Sequence, residues 1–213
     1  MGHLRPAVLA GLLLPALLLS GCDERTGSGD DSRAGPGSAL AAIPLQPEEV
    51  PGDLGLDEDR SGPVESLREV LPPREAVPTR PPVPGGLSEA FRDGYQTVFL
   101  SKGDEGATEP EGLTSAGSTA VRFVHGSAAG RFLEYLRDVQ TGAGQTAERE
   151  ELPAEGLGEA GFGWRHEVPF AESFGYVWRS GDTVLTVTVG GATGATNAAE
   201  VLELAERIDA RAP

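Results

Sequence analysis

The stretch FGYVWRSGDTVLTVTV, residues 174–189, has the pattern of a β-hairpin. Aromatic residues occupy alternate positions from Phe174 to Trp178, and threonines alternate with apolar residues from Leu185 to Val189. The Ser-Gly-Asp sequence at 180–182 has the composition of a tight turn. Because one side of the second strand is polar, the pattern favours half-exposed antiparallel strands over buried parallel ones.

Working outward, three further stretches have the composition of strands: 95–100, 119–124 and 162–168. A helix is predicted from Ser127, whose hydroxyl is suited to an N-cap, and its apolar residues recur at helical spacing up to Val139. Asn197, with Glu200 three positions later, predicts a capping box for a last helix. The order β-β-α-β-β-β-α predicts an α+β fold, an antiparallel sheet with both main helices packed on one face.

The composition changes sharply along the chain. All twelve aromatic residues lie at or after Phe91, whereas 13 of the 17 prolines lie at or before Pro84. We therefore expect the α+β domain to span residues 87–213 and a disordered Gly/Ser/Asp-rich tether to span 22–42. The Pro-rich segment 43–86 is expected to be partly ordered.

Two local elements are expected inside that Pro-rich segment: a short strand near 54–56 and a helical turn over 65–71. Later in the chain, residues 103–117 read as a polar loop between two strands.

The front of the chain has the pattern of an export signal over residues 1–21: a short basic lead, then an uncharged apolar run from Ala7 to Leu19. That run is shorter than the roughly 20 residues a membrane-spanning helix requires. It ends in LLLSGC, residues 17–22, which resembles the lipobox of bacterial lipoproteins. The resemblance implies cleavage between Gly21 and Cys22 and a diacylglyceryl thioether, with acyl chains such as palmitate, on Cys22. The alternative is a plain signal peptide followed by an unrelated cysteine.

Composition limits the other functional classes. The formal net charge is −16, and a single lysine accompanies sixteen arginines. The acidity argues against nucleic-acid partners, which require clustered cations. Because the chain has one cysteine, no disulfide can form within it. We expect a protein on the outer face of the cell membrane, held by its lipid anchor.

Four stretches carry a second resemblance: DGYQTVFLS, STAVRFVHGSAAGRFLEYL, LGEAGFGW, and YVWRSGDTVLTVTVGG with the AAEVLELAERIDAR that follows it. They resemble exported actinobacterial lipoproteins and receptor-like sensor domains. Extracellular domains of some serine/threonine kinases are distantly similar, although those contain disulfides. The resemblance implies a non-catalytic domain that binds an envelope ligand or protein, and it supplies no catalytic residue and no cofactor.

Aromatic residues are the leading candidates for a ligand site. Phe162, Trp164 and His166 share one strand face, and Phe174, Tyr176 and Trp178 share another. If the two strands are neighbours, these rings form one continuous stripe. That stripe either fills the core or lines a cleft for an apolar or glycan ligand, with Trp164, His166, Tyr176 and Trp178 as its binding residues.

Two other motifs suggest chemistry. Ser127 follows a strand and precedes a helix, and with His166 as base it could form a small serine hydrolase. Asp57, Asp59 and Ser61 match the first ligand positions of an EF-hand, but Arg68 stands where the closing glutamate belongs. Three hypotheses thus remain open: a binding module, a hydrolase, and a purely structural envelope component.

Overall fold

The computed structural model describes residues 39–71, 80–101, 111–141 and 148–213, with only the backbone of Thr141 and Glu148. The expected signal peptide, Cys22 and most of the expected tether therefore lie outside the described residues. The strands are β1 Leu54–Leu56, β2 Gly62–Val64, β3 Phe91–Ser101, β4 Leu113–Phe123, β5 Glu148–Leu152, β6 Ala160–Val168, β7 Ala171–Ser180 and β8 Thr183–Ala192. The helices are α1 Leu87–Ala90, α2 Gly126–Thr141 and α3 Ala198–Asp209.

The strands form one antiparallel sheet in the order β1-β3-β4-β8-β7-β6-β5, and β2 pairs with β3 beside β1. The predicted α+β class and antiparallel sheet are confirmed. The predicted hairpin is β7–β8, in which Ser180 pairs with Thr183. Two strands differ from expectation: β4 begins at Leu113, inside the predicted loop, and the charged sequence EREEL forms the edge strand β5.

The two main helices lie on opposite faces of the sheet, which corrects the expectation of a single covered face. One core cluster joins α2 to Val121, Phe162 and Val177, and the other joins α3 to Leu185 and Trp178. The physical reason is that β7 and β8 bury apolar side chains at consecutive positions, which point to opposite faces. We call these two sides the α2 face and the α3 face.

The folded part of the chain begins earlier than expected, since Leu40, Ile43 and Leu45 are buried in the cluster that contains α3. This stretch, which we call the N-terminal strap (residues 39–50), crosses the α3 face of β3 and β4. Its last residues include a 3-10 turn at Pro47–Glu49. Strands β1 and β2, within the Pro-rich segment 43–86, also belong to the sheet.

The strap is held by Arg211, which follows α3. Its guanidinium donates to the carbonyl oxygen of Ile43 from Nε at 3.1 Å and from Nη2 at 2.9 Å, and to that of Pro44 at 3.2 Å. It also forms a two-point ion pair with the Glu49 carboxylate, at 2.5 and 3.0 Å. The two ends of the described chain are therefore joined directly.

The Pro-rich segment beyond the strap has the expected strand at Leu54–Leu56, and residues 67–69 form a turn. Leu67 and Leu71 are buried with the α2 cluster, so this segment also contributes to the core. Within the described ranges, no helix has the length and hydropathy needed to cross a membrane.

Candidate functional site

The two aromatic triads lie on opposite faces of the sheet, so they do not form a continuous stripe. In the β6–β7 pairing, Trp164 is opposite Gly175 and Gly163 is opposite Tyr176. Residues paired across antiparallel strands point to the same face. Trp164, Tyr176 and Trp178 are each opposite a glycine, whereas Phe162 is opposite Val177 and Phe174 is opposite Arg165. Trp164 and Phe162 belong to the α2 face, and Tyr176 belongs to the α3 face.

Tyr176 and Trp178 are core residues beneath α3. Trp178 is fully buried and its Nε1–H donates to Asp209 Oδ1 at 2.7 Å. The Tyr176 hydroxyl donates to the carbonyl oxygen of Ala198 at 3.2 Å. With both polar tips bonded to α3, these two side chains fasten the helix and are not available to a ligand.

Trp164 and His166 lie on the α2 face beside an array of small polar residues. Five half-buried hydroxyl residues on three neighbouring strands share that face, and we call them the hydroxyl surface: Ser115, Thr119, Ser173, Thr186 and Thr188. The register gives one lateral row of Ser115, Gly190, Ser173 and His166, and a second of Gly117, Thr188, Gly175 and Trp164.

None of the five side chains makes a hydrogen bond with another described residue, although hydroxyl groups on this sheet's other face do. On the α3 face, Thr97 and Ser118 are buried and their hydroxyl oxygens lie 3.0 Å apart. Ser118 Oγ accepts from the Leu45 backbone N–H at 2.6 Å, and Thr97 Oγ1 donates to the Leu45 carbonyl at 3.2 Å. Similar side chains are thus bonded where the strap covers them, and on the α2 face they lack partners among the described residues.

This difference predicts that removing a hydroxyl changes the free energy of unfolding on one face and hardly changes it on the other. Thr97→Val should lower the free energy of unfolding by about 1–3 kcal/mol, because it leaves buried polar partners on Ser118 and Leu45 unpaired. Thr186→Val should change it by less than about 0.5 kcal/mol, since no described partner is lost. Urea unfolding of the two variants measures both effects, and equal losses would contradict the assignment.

Two glycines, Gly117 and Gly190, lie among the side chains of the hydroxyl surface. A Cβ at Gly117 would meet only the Thr97 carbonyl oxygen, at 3.4 Å, and one at Gly190 would lie between Ser173 Cβ and Ser115 Oγ, at 3.3 and 3.5 Å. Three strands span about 10 Å and three residues of one face span about 14 Å along a strand. The hydroxyl surface is uncharged, and Trp164 and His166 lie along its β6 side.

Arg149 on β5 extends the row of Ser173 and His166 to the sheet edge, because it pairs directly with His166. Its Nη1 donates to both the backbone carbonyl and the side-chain Oε1 of Gln140, in the last turn of α2. Arg149 Nε and His166 Nε2 are both buried without a hydrogen-bond partner among the described residues. Burial lowers the pKa of Arg149, and burial together with the Arg149 charge lowers the pKa of His166.

The lowered pKa of His166 predicts a pH-dependent stability. The folded state binds a proton on His166 less readily than the unfolded chain, whose histidine pKa is near 6.5. Stability from this group is therefore present above pH 6.5 and falls as the pH drops toward the folded-state pKa, at up to about 1.4 kcal/mol per pH unit. His166→Gln should flatten this decline in melting temperature, whereas changing the exposed His125 to Gln should keep it.

The structure separates Ser127 from His166. The Gly126 carbonyl accepts from Arg179 Nη1 at 3.4 Å, at one end of β7, whereas His166 pairs with Ser173 near the other end. Six residues of strand separate those ends by about 20 Å. The pairing required of a hydrolase nucleophile and its base is absent.

His125 performs the capping role predicted for Ser127. Its Nδ1 accepts from the Ala128 backbone N–H at 3.1 Å and lies 2.9 Å from Ser127 Oγ. At α3, Asn197 caps as predicted by accepting from the Ala199 and Glu200 backbone N–H groups. The Glu200 side chain instead accepts from Thr196.

The partial EF-hand stretch forms a turn between β1 and β2. The Asp57 carboxylate accepts from the Arg60 backbone and pairs with its guanidinium at 3.3 Å. Ser61 Oγ accepts from the Val98 N–H at 3.0 Å. Asp59 is exposed. Across the described ranges, no group of three or more histidine, cysteine or acidic residues is arranged to hold a metal ion.

Comparison with known proteins gives a likeness of fold. No family model matches the sequence, and no curated protein matches it. Among solved structures, the chain is similar to the extracellular domain of PknH from Mycobacterium tuberculosis, with 16% sequence identity and a TM-score of 0.50. The match covers 83% of this chain and 96% of that one. At this identity the comparison establishes that the two chains share a fold.

Proposed function

We propose that this protein is a non-catalytic binding domain on the outer face of the cell membrane, and that it holds its ligand on the hydroxyl surface. One observation carries the proposal: five half-buried hydroxyl groups on adjacent strands lack partners among the described residues, whereas the equivalent groups on the other face are bonded. Unpaired polar groups gathered on one surface can orient a bound ligand.

The fold and the pattern at the front of the sequence agree with this proposal. The similar structure is an extracellular domain, and the export-signal pattern expected at residues 1–21 supports the same location for this chain. The separation of Ser127 from His166 removes the geometric basis of the hydrolase alternative. A structural component without a ligand remains the alternative that experiment must test.

The test is native mass spectrometry of the mature protein extracted gently from its host membrane, compared with Gly117→Val. An added Cβ at Gly117 meets only the Thr97 carbonyl oxygen, at 3.4 Å, so we expect the variant to fold and its side chain to exclude a ligand. We expect the wild type to retain an additional mass that the variant lacks. The absence of any bound mass in both proteins would support a structural role.

Anchoring through Cys22 has its own test. Cys22→Ser removes the thiol that forms the thioether, so we expect the variant to leave the membrane fraction or to accumulate unprocessed. Two or more acyl chains give stable anchoring, whereas one chain gives marginal binding. Gly117→Val serves as the matched control and should stay in the membrane. Unchanged fractionation of Cys22→Ser would refute the lipoprotein assignment.

A further inference from the structure

Arg149 is unusual among the arginines of this acidic chain. Six other partly buried arginines each contact a carboxylate: Arg60, Arg122, Arg137, Arg165, Arg179 and Arg211. Arg149 has no carboxylate oxygen within 4.0 Å among the described residues, although burial works against its charge. A desolvated cation without a counter-ion is unfavourable in the free protein, and a bound anion would relieve it.

Arg149 has unpartnered donors of the kind that a carboxylate requires, and one of them, Nε, is buried. Only Nη1 is used within the described part of the chain, where it bonds to Gln140, so Nε and Nη2 remain for a side-on contact. This two-point geometry is the strong mode of arginine–carboxylate recognition. His166, directly opposite Arg149 and nine-tenths buried, adds a second unpartnered nitrogen at Nε2.

The sheet itself shows what its hydroxyl groups bind. On the α3 face, the paired residues Thr97 and Ser118 hold the backbone C=O and N–H of Leu45, in a stretch that crosses the strands. On the α2 face, Thr119 and Thr186 are paired in the same way across β4 and β8. Both faces therefore present hydroxyl pairs suited to a crossing polypeptide backbone.

We infer that the ligand on the hydroxyl surface is the C-terminal end of an extended polypeptide, whose terminal carboxylate contacts Arg149 and His166. The inference rests on the proposed function and specifies the ligand class of that site. The row from Arg149 to Ser115 crosses four strand spacings, about 19 Å, which matches five or six extended residues. We expect the peptide to carry small side chains where it lies over Gly190 and Gly117.

The experiment uses isothermal titration calorimetry on the mature, detergent-solubilised protein. The probes are N-acetyl-pentaalanine with a free carboxylate, the same peptide as its C-terminal amide, and trigalacturonic acid. We expect the free acid to bind about tenfold more tightly than the amide, the difference of one charge-assisted contact. Because this comparison changes only the peptide, it does not depend on a variant that folds.

Variants locate the contact. Arg149→Gln and His166→Gln should each remove most of the preference for the free acid, and Ser173→Ala, in the same row, should weaken both peptides alike. Arg207→Gln, at an exposed site on α3, is the matched control and should leave the preference unchanged. Preference retained in the Arg149 and His166 variants would overturn the assignment.

Three results would reject the peptide: equal binding of acid and amide, binding of trigalacturonic acid alone, or no binding of any probe. If the wild type still retains a mass that Gly117→Val lacks, the proposed function stands and only its ligand class is wrong. If no mass is retained either, both proposals fail.

Discussion

Gly175→Ala is expected to lower the free energy of unfolding by about 3 kcal/mol or more, because the new methyl group would overlap the indole of Trp164. A Cβ at this position would lie 2.7 Å from Trp164 Cε2 and still closer to the far edge of the ring. Trp164 is only 6% exposed, so its ring cannot move without opening the core beneath α2. Thermal and urea unfolding monitored by tryptophan fluorescence would measure the loss.

A double variant tests this mechanism. Gly175→Ala combined with Trp164→Leu should be more stable than the sum of the two single effects predicts, because the smaller side chain makes room for the methyl group. Gly117→Ala is the matched control on the same face, since its Cβ meets only one atom, at 3.4 Å. A large loss in the control, or strict additivity in the double variant, would rule out the steric explanation.

Arg211→Met is expected to destabilise the protein by about 2–4 kcal/mol and to release the N-terminal strap. The change leaves Ile43 and Pro44 carbonyl groups and the Glu49 carboxylate without their shared donor. Methionine keeps the aliphatic stem, so the loss reports on the guanidinium. Limited proteolysis should cut within residues 39–50 before the sheet unfolds, whereas Arg207→Met should leave the strap protected.

Acid should weaken the same contact. Burial acts to raise the pKa of Glu49, but the hydrogen bond and charge of Arg211 and a bond from the Gln46 backbone outweigh it, so its pKa lies below the usual value. Stability from this pair is present above about pH 4.5 and is lost as the pH falls through the folded-state pKa. If the strap of Arg211→Met resists proteolysis at neutral pH as well as the wild-type strap does, Arg211 does not hold it in place.

The sequence predicts elements with strong local patterns. The hairpin at 174–189, the cap at Asn197 and the short strand at Leu54–Leu56 all depend on spacing or turn chemistry within a few residues. The strand EREEL was not predicted, because it forms only by pairing with β6, and its charged residues suit a sheet edge. Helix α2 begins one residue before Ser127 because His125 supplies the cap instead.

The candidate site was not predictable in the same way. Ser115 and Thr188 are far apart in the sequence, and they lie close together on one face only because β4 pairs with β8. The aromatic alternation correctly placed three residues on each strand face, but it could not show which faces coincide. That relation depends on register: Trp164 opposite Gly175 places the two triads back to back.

The contacts between Arg211 and the N-terminal strap also determine how the domain responds to tension. A pull transmitted along the chain from residues before Ala39 reaches the strap before any strand of the sheet. The bonds to Ile43, Pro44 and Glu49 would therefore bear the load first, and the buried Leu40 and Leu45 would be drawn out with them. Loss of the strap would uncover Thr97 and Ser118, so that mechanical force would expose a second set of hydroxyl groups on the opposite face.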